Sequence, residues 1–271
     1  MSFTDVERVI YAKNPLVEVV CQLRFPRILS INENQPVLFQ EKIREKYPLY
    51  SVATEWQQEF SLDLAHMSND APLIPRVTQA ENGKNYRFSS ADNNWHINLT
   101  PTFLALSTSK YSQWEEFLER LKDPLAALVE VYRPAFYERV GLRYVNVFTR
   151  SDLGLEGIDW SELIHSFALG FLSNEQVKED IKSYNSFIEL EIGNGAIAQI
   201  RSGLGLFGGI ENGVSCTNPE LSFILDNDLY FMRKNMNEFD ESLHYLHSIS
   251  TKLIRAIITD KLHNALEPRE K

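Results

Sequence analysis

Cysteine is scarce in this 271-residue chain, with Cys21 and Cys216 its only two. Two thiols so far apart offer neither a metal-ligand spacing nor a disulfide framework. Cys21 lies in the apolar run "LVEVVCQLRF", where a thiol acts as a small core hydrophobe and not as a nucleophile. Long apolar segments are also missing. No stretch approaches the roughly 18 apolar residues that a membrane helix needs. The polar opening "MSFTDVERVIYAKNP" has no signal-peptide core. The expectation is a cytoplasmic, reduced protein without a membrane partner. Positive charge is short as well: 27 Lys and Arg stand against 37 Asp and Glu, a formal net charge of −10, and basic runs are absent. Such a chain repels phosphate backbones at long range, which weighs against nucleic acid.

What is present is a core-forming pattern. Hydrophobic residues make up 44% of the chain, enough for one large core or two modest ones. After Pro15, Val17, Val19, Cys21, Leu23 and Phe25 alternate with Glu18, Gln22 and Arg24, interrupted by Val20, the period of a half-buried strand. Phe39, Ile43 and Tyr47 then recur every four residues, with Pro36 near the start and Pro48 beyond, and predict a short helix. A meander follows: Trp56, Phe60, Leu62 and Leu64 alternate, "NYRFSS" and "NWHINLT" flank the turn "ADNN", and "TFLALST" offers an extra strand. Ser112 and Glu115 form a capping-box pattern ahead of Trp114, Leu118, Leu121, Leu125, Leu128 and Tyr132 at helical spacing. Pro124 should kink or break that helix.

The same order recurs after Pro134. The strand "FYERVGLRYVNVF" leads to a helix starting at Asp159 and running through Ile164, Phe167 and Leu169. Three strands follow, "SFIELEIG", "AIAQIRSGLGLF" and "LSFILDNDLYFM". A long helix closes the chain, with Phe239, Leu243, Leu246, Ser250, Leu253 and Ile257 on one face. The expected class is α+β: a mostly antiparallel sheet with helices on one face, built from duplicated β-α-β-β-β-α halves, 1–133 and 134–271, in one continuous unit. A TATA-binding-protein-like saddle has this element order, an analogy of fold that carries no function.

Gly203, Gly205 and Gly208 spell G-x-G-x-x-G, the spacing of a dinucleotide loop. That chemistry needs a helix right after the glycines to hold the pyrophosphate. "GIENGVSCTNPE" follows instead, so no cofactor is expected, and the glycines read as a strand end with a bend. Bare backbone at Gly203 and Gly205 would still let a ligand or partner approach. Arg139 and Arg143 share a strand face with Gly141 between them, an arrangement suited to a carboxylate or phosphate but equally to ion pairs with sheet neighbours. Glu189 with Glu191, and Asp226 with Asp228, each lie on one face of a strand. Were those strands neighbours, the four carboxylates would converge on Mg²⁺ or Mn²⁺. His244 and His247 are three apart on the last helix and lack a third ligand, so they read as boundary histidines. No nucleophile elbow for Ser/His/Asp chemistry occurs.

"YAKNPLVEVVCQLRFP", "RVGLRYVNVF", "LDNDLYF" and "ESLHYLHSISTKLIRAIITDKL" occur in that order along nearly the whole chain. This resembles a sporadically distributed prokaryotic family, known by a serial number and without an established function. Patchy distribution of that kind accompanies mobile genetic elements and antiphage defence clusters, and it implies work beside a partner protein. The expected function is therefore a non-catalytic binding or regulatory subunit that engages a protein partner or itself. The alternatives are a metal-dependent hydrolase of phosphoester or nucleotide bonds using Glu189, Glu191, Asp226 and Asp228, and a small-ligand binder around Arg139, Arg143, Gly203 and Gly205.

Overall fold

The computed structural model describes residues 8–61, 76–207, 210–211, 214–215, 220–235 and 238–270. In chain order the first half contains β1 (Val9–Tyr11), β2 (Leu16–Arg24), α1 (Leu29–Glu33), α2 (Val37–Ile43), β3 (Leu49–Ser61), β4 (Arg76–Ser89), β5 (Trp95–Leu99), β6 (Phe103–Thr108) and α3 (Trp114–Tyr132). The second half contains β7 (Tyr137–Phe148), α4 (Arg150–Leu153), α5 (Trp160–Leu163), α6 (Ser166–Leu169), β8 (Asn185–Gly193), β9 (Ala196–Phe207), β10 (Ile210–Glu211), β11 (Val214–Ser215), β12 (Glu220–Lys234), α7 (Phe239–Ile257), α8 (Asp260–Ala265) and β13 (Pro268–Glu270).

Nine strands form one antiparallel sheet in the order β3-β4-β5-β6-β2-β7-β12-β9-β8. The first strands of the two halves, β2 and β7, pair at its centre, with Cys21 opposite Leu142 and Arg24 opposite Arg139. On either side lies the last strand of each meander, β6 beside β2 and β12 beside β7. "TFLALST" is a separate strand, so the first half contributes five strands and the second four. The antiparallel α+β class expected from the alternation is the observed one.

Period two sorts each strand into two faces. Val19, Cys21 and Leu23 of β2, Val140, Leu142 and Tyr144 of β7, and Leu225, Leu229 and Phe231 of β12 point to one side and are buried. The helices cover that side. Phe39 of α2 packs on Phe88, Phe117 of α3 on Trp95, and Trp160 of α5 on Phe223. All six residues expected on the inner face of the closing helix α7 are buried. Burial pushes the Cys21 thiol up to about 12, which suits a core hydrophobe and removes it as a nucleophile. Cys216 lies outside the described residues, as do Leu62 and Leu64.

Three helix expectations need correction. Pro124 does not break α3, which runs on through it. A proline there cannot donate to the carbonyl four residues back, and the Tyr47 hydroxyl donates to that Arg120 carbonyl instead, at 2.8 Å. Ser112 does not cap the helix: Gln113 is the N-cap, and the Ser112 hydroxyl reaches the Glu116 carboxylate. The helix from Asp159 stops after one turn. Asp159 does cap it, accepting from the Ser161 amide. Ile164 then forms a β-bridge with Ile258, and the His165 amide donates to the Ile257 carbonyl. Those extended residues divide α5 from α6.

Candidate functional site

The uncovered sheet face carries a polar ladder across the second half. From β7, Arg143 donates to both oxygens of Asp226 on β12, Nε to Oδ1 at 2.7 Å and Nη2 to Oδ2 at 2.9 Å. This bidentate carboxylate raises the arginine's pKa above its ordinary value. Arg201 of β9 lies 4.0 Å from Asp226 and donates to Gln199, which donates to Glu189 of β8 at 2.9 Å. Arg139 folds back over Gly141, donates to Asp228 at 2.5 Å and to Gln22 at 3.2 Å, and lies over the Tyr230 ring. A Cβ on Gly141 would sit 2.1 Å from Arg139 Nη1, so only glycine leaves room for this guanidinium. Arg139 and Arg143 do share a face and border a broad concavity. Asp228 and Asp226 compensate their charge, while Arg24, Arg233 and Lys234 line the broader concavity together with Glu138.

The four carboxylates do not come together. β9 lies between β8 and β12, and Glu189 faces Gln199, which in turn faces Asp228. Two strand spacings separate the pairs by roughly 10 Å, and the two aspartates are held by arginines. Among the described residues no group of three or more His, Cys, Asp or Glu could hold a metal ion. The glycines are likewise occupied by their own chain. Gly203 and Gly205 sit inside β9, opposite Ile224 and Ser222. A Cβ on Gly203 would meet the Tyr184 carbonyl at 2.5 Å, and one on Gly205 would meet Ile224 Cδ1 at 2.8 Å. They admit neighbouring parts of the fold rather than a ligand. Gly208 lies outside the described residues.

β8 is the outer strand of the second half, and no described strand pairs with its free edge. Phe187 is 57% exposed and Ile188 40%. Tyr184, just before β8, donates to the Ala168 carbonyl, which places the turn carrying Phe167 and Phe171, 66% and 74% exposed, against the start of that strand.

The helix-covered side holds a cavity of about 430 Å³ that sequence reasoning did not anticipate. Its walls come from β1, the approach to α3, β7, α7 and α8, so no local motif could reveal it. Tyr144 hydrogen-bonds His247 Nδ1 at 2.8 Å, and Tyr11 hydrogen-bonds His263 Nδ1 at 2.9 Å. Burial raises the Tyr144 and Tyr11 hydroxyls above their ordinary pKa and lowers His263. His247 stacks on Trp114 at 4.2 Å, and Trp114 Nε1 donates to His244. Both histidines of α7 thus pack against Trp114. Asn146 of β7 lines the cavity, is 1% exposed, and leaves its Oδ1 without a hydrogen bond.

Among the described residues no helix is long and apolar enough to cross a membrane. Comparison with known families finds no matching family model, and no curated protein matches the chain.

Proposed function

We propose that this chain is a non-catalytic binding subunit that receives an extended segment of a partner protein on the free edge of β8. The carrying observation is that edge strand, bordered by exposed Phe187, Ile188, Phe167 and Phe171. An edge strand offers unpaired backbone donors and acceptors, and strand addition satisfies them. Lysine and proline, the usual protection of an edge, are absent from β8. Charge selects the occupant. Two copies of β8 paired antiparallel about Leu190 would set Glu189 against Glu191 twice, and like charges facing each other are unfavourable. A partner strand with basic residues at alternate positions suits Glu189 and Glu191, and its apolar residues meet Phe187 and Ile188.

The mirrored strand order and the echo between "EVVCQLRF" and "ERVGLRY" support an internal duplication in which the second half has one strand fewer. Resemblance to a patchily distributed family supports a partner encoded nearby, in a mobile-element or antiphage-defence setting.

The test is co-purification with the products of neighbouring genes, followed by titration of the captured partner. Glu189→Lys/Glu191→Lys is expected to weaken binding by about tenfold or more through charge reversal, with Tm unchanged. Backbone amides of β8 should gain hydrogen-exchange protection in the complex. No partner among those products, or a partner indifferent to these substitutions, overturns the proposal. Self-association through β8 in light scattering would replace the partner with a second copy.

A further inference from the structure

We infer that the cavity between β1, β7 and α7 is a binding site for an uncharged, flat heteroaromatic molecule of nucleobase or nucleoside type. This rests on groups remote from β8 and does not depend on the partner. About 430 Å³ falls within the range of small-molecule sites. Tyr11, Tyr111 and Tyr144 contribute aromatic walls, and apolar Leu16 and Ile254 complete them. Aromatic surfaces of this kind suit a flat ring.

The polar group that selects the ligand is Asn146. Its Nδ2 spends one proton on the Leu225 carbonyl at 3.4 Å, and its buried Oδ1 has no hydrogen bond. A carboxamide nitrogen has two donors and its oxygen accepts. Asn146 therefore keeps an acceptor beside a spare donor. That pair matches an amino group next to a ring nitrogen, the edge by which a carboxamide reads adenine. A buried acceptor left unsatisfied is costly, and a ligand N–H removes the cost.

Charge compensation favours an uncharged ligand. Arg8 is held bidentately by Glu115, at 2.8 and 3.2 Å, and Arg255 is held by Asp260. Both cations of the lining thus have counter-ions within the chain. Bringing a phosphate or carboxylate into this site would cost desolvation without a free cation to offset it.

The cavity also explains an otherwise detached element. Among the described residues β1 pairs only with β13, outside the main sheet, with Val9 opposite Glu270 and Tyr11 opposite Pro268. The Ala12 and Lys13 amides continue the tie to the Glu267 and Leu266 carbonyls. This small ribbon closes the cavity from outside, with Tyr11 anchored to His263.

The test uses the full chain with adenine, adenosine, guanosine, cytidine, uridine and AMP as probes, read by saturation-transfer NMR and calorimetry. At least one uncharged probe is expected to bind with Kd below about 1 mM, and adenine against adenosine separates base from nucleoside. Asn146→Leu should weaken that probe about tenfold or more, as loss of a buried hydrogen-bond pair predicts. Ser250→Leu, which projects bulk from α7 into the same space, should abolish it while Asn146 stays intact. Melting curves establish that each variant is folded, and either variant alone suffices for the test. Absence of binding by every uncharged probe, affinity unchanged in a folded variant, or binding of AMP alone overturns the inference.

Discussion

The two halves of the sheet begin alike and end differently. Each opens with a strand that follows a proline, and those strands, β2 and β7, pair with each other. Each closes with a 19-residue helix, α3 or α7, on the same face. Between these landmarks the first half runs through four further strands of the main sheet and the second through three. The longer meander ends at β3, where Tyr50 packs on the rings of Tyr86 and Phe88. The shorter one ends at β8, where the Arg201 guanidinium lies over the Phe187 ring. Shared beginnings build the common core, and the sheet ends in two outer strands, β3 and β8, of different surroundings.

The largest effects should come from breaking that core. Phe117→Ala in α3 and Leu253→Ala in α7 each remove a buried side chain and should cost about 2–5 kcal/mol. Because β2 and β7 join the halves into one sheet, urea unfolding of either variant should remain a single transition. Two separated transitions would show that the halves fold as independent domains.

Gly141 sharpens the comparison at the seam. Its cross-strand partner in the first half is Gln22, a residue with a side chain, whereas a side chain on Gly141 would have to displace the Arg139 guanidinium. Gly141→Val should destabilise by about 1–3 kcal/mol through overpacking. Adding Arg139→Met should recover part of the loss in a double-mutant cycle. Strict additivity in denaturant titrations would show that the guanidinium is not the obstacle.

In the second half, Asn227 of β12 is a fully buried carboxamide whose Nδ2 and Oδ1 make no hydrogen bond among the described residues. Asn227→Leu should stabilise by about 1 kcal/mol, since an apolar side chain removes the unsatisfied group. A lower Tm would instead show that the amide has a partner such as buried water.

The smallest effect belongs to the helical connection between β7 and β8. Lys178 and the Ser161 amide and hydroxyl hold Asp159 down to about 2. A folded pKa below the unfolded one contributes stability above the unfolded value, and this is lost as pH falls through the folded one. Asp159→Asn should therefore lower Tm slightly at pH 7. The wild-type and variant melting curves should converge as pH falls from about 4 towards 2. An undiminished gap at low pH would mean that the cap, not the charge, carries the difference.

Alternation of apolar residues in "LVEVVCQLRF" and "RVGLRYVNV", and four-residue spacing in the two long helices, made the strands, the buried faces and the antiparallel class legible. Local chemistry also argued against a dinucleotide loop, because "GIENGVSCTNPE" is a poor start for the helix it requires. Which strands become neighbours is a different matter. Sequence placed Glu189 and Asp228 on strands of equal promise, and only the insertion of β9 between them separated the carboxylates. The continuity of α3 through Pro124 likewise depended on Tyr47, far away in sequence, supplying the missing donor. The cavity is the extreme case, since its lining runs from Arg8 to His263. Periodicity is a local property, written into consecutive residues by the geometry of strand and helix. Pairing, enclosure and the satisfaction of a buried polar atom join groups distant along the chain, so only the tertiary structure could decide them.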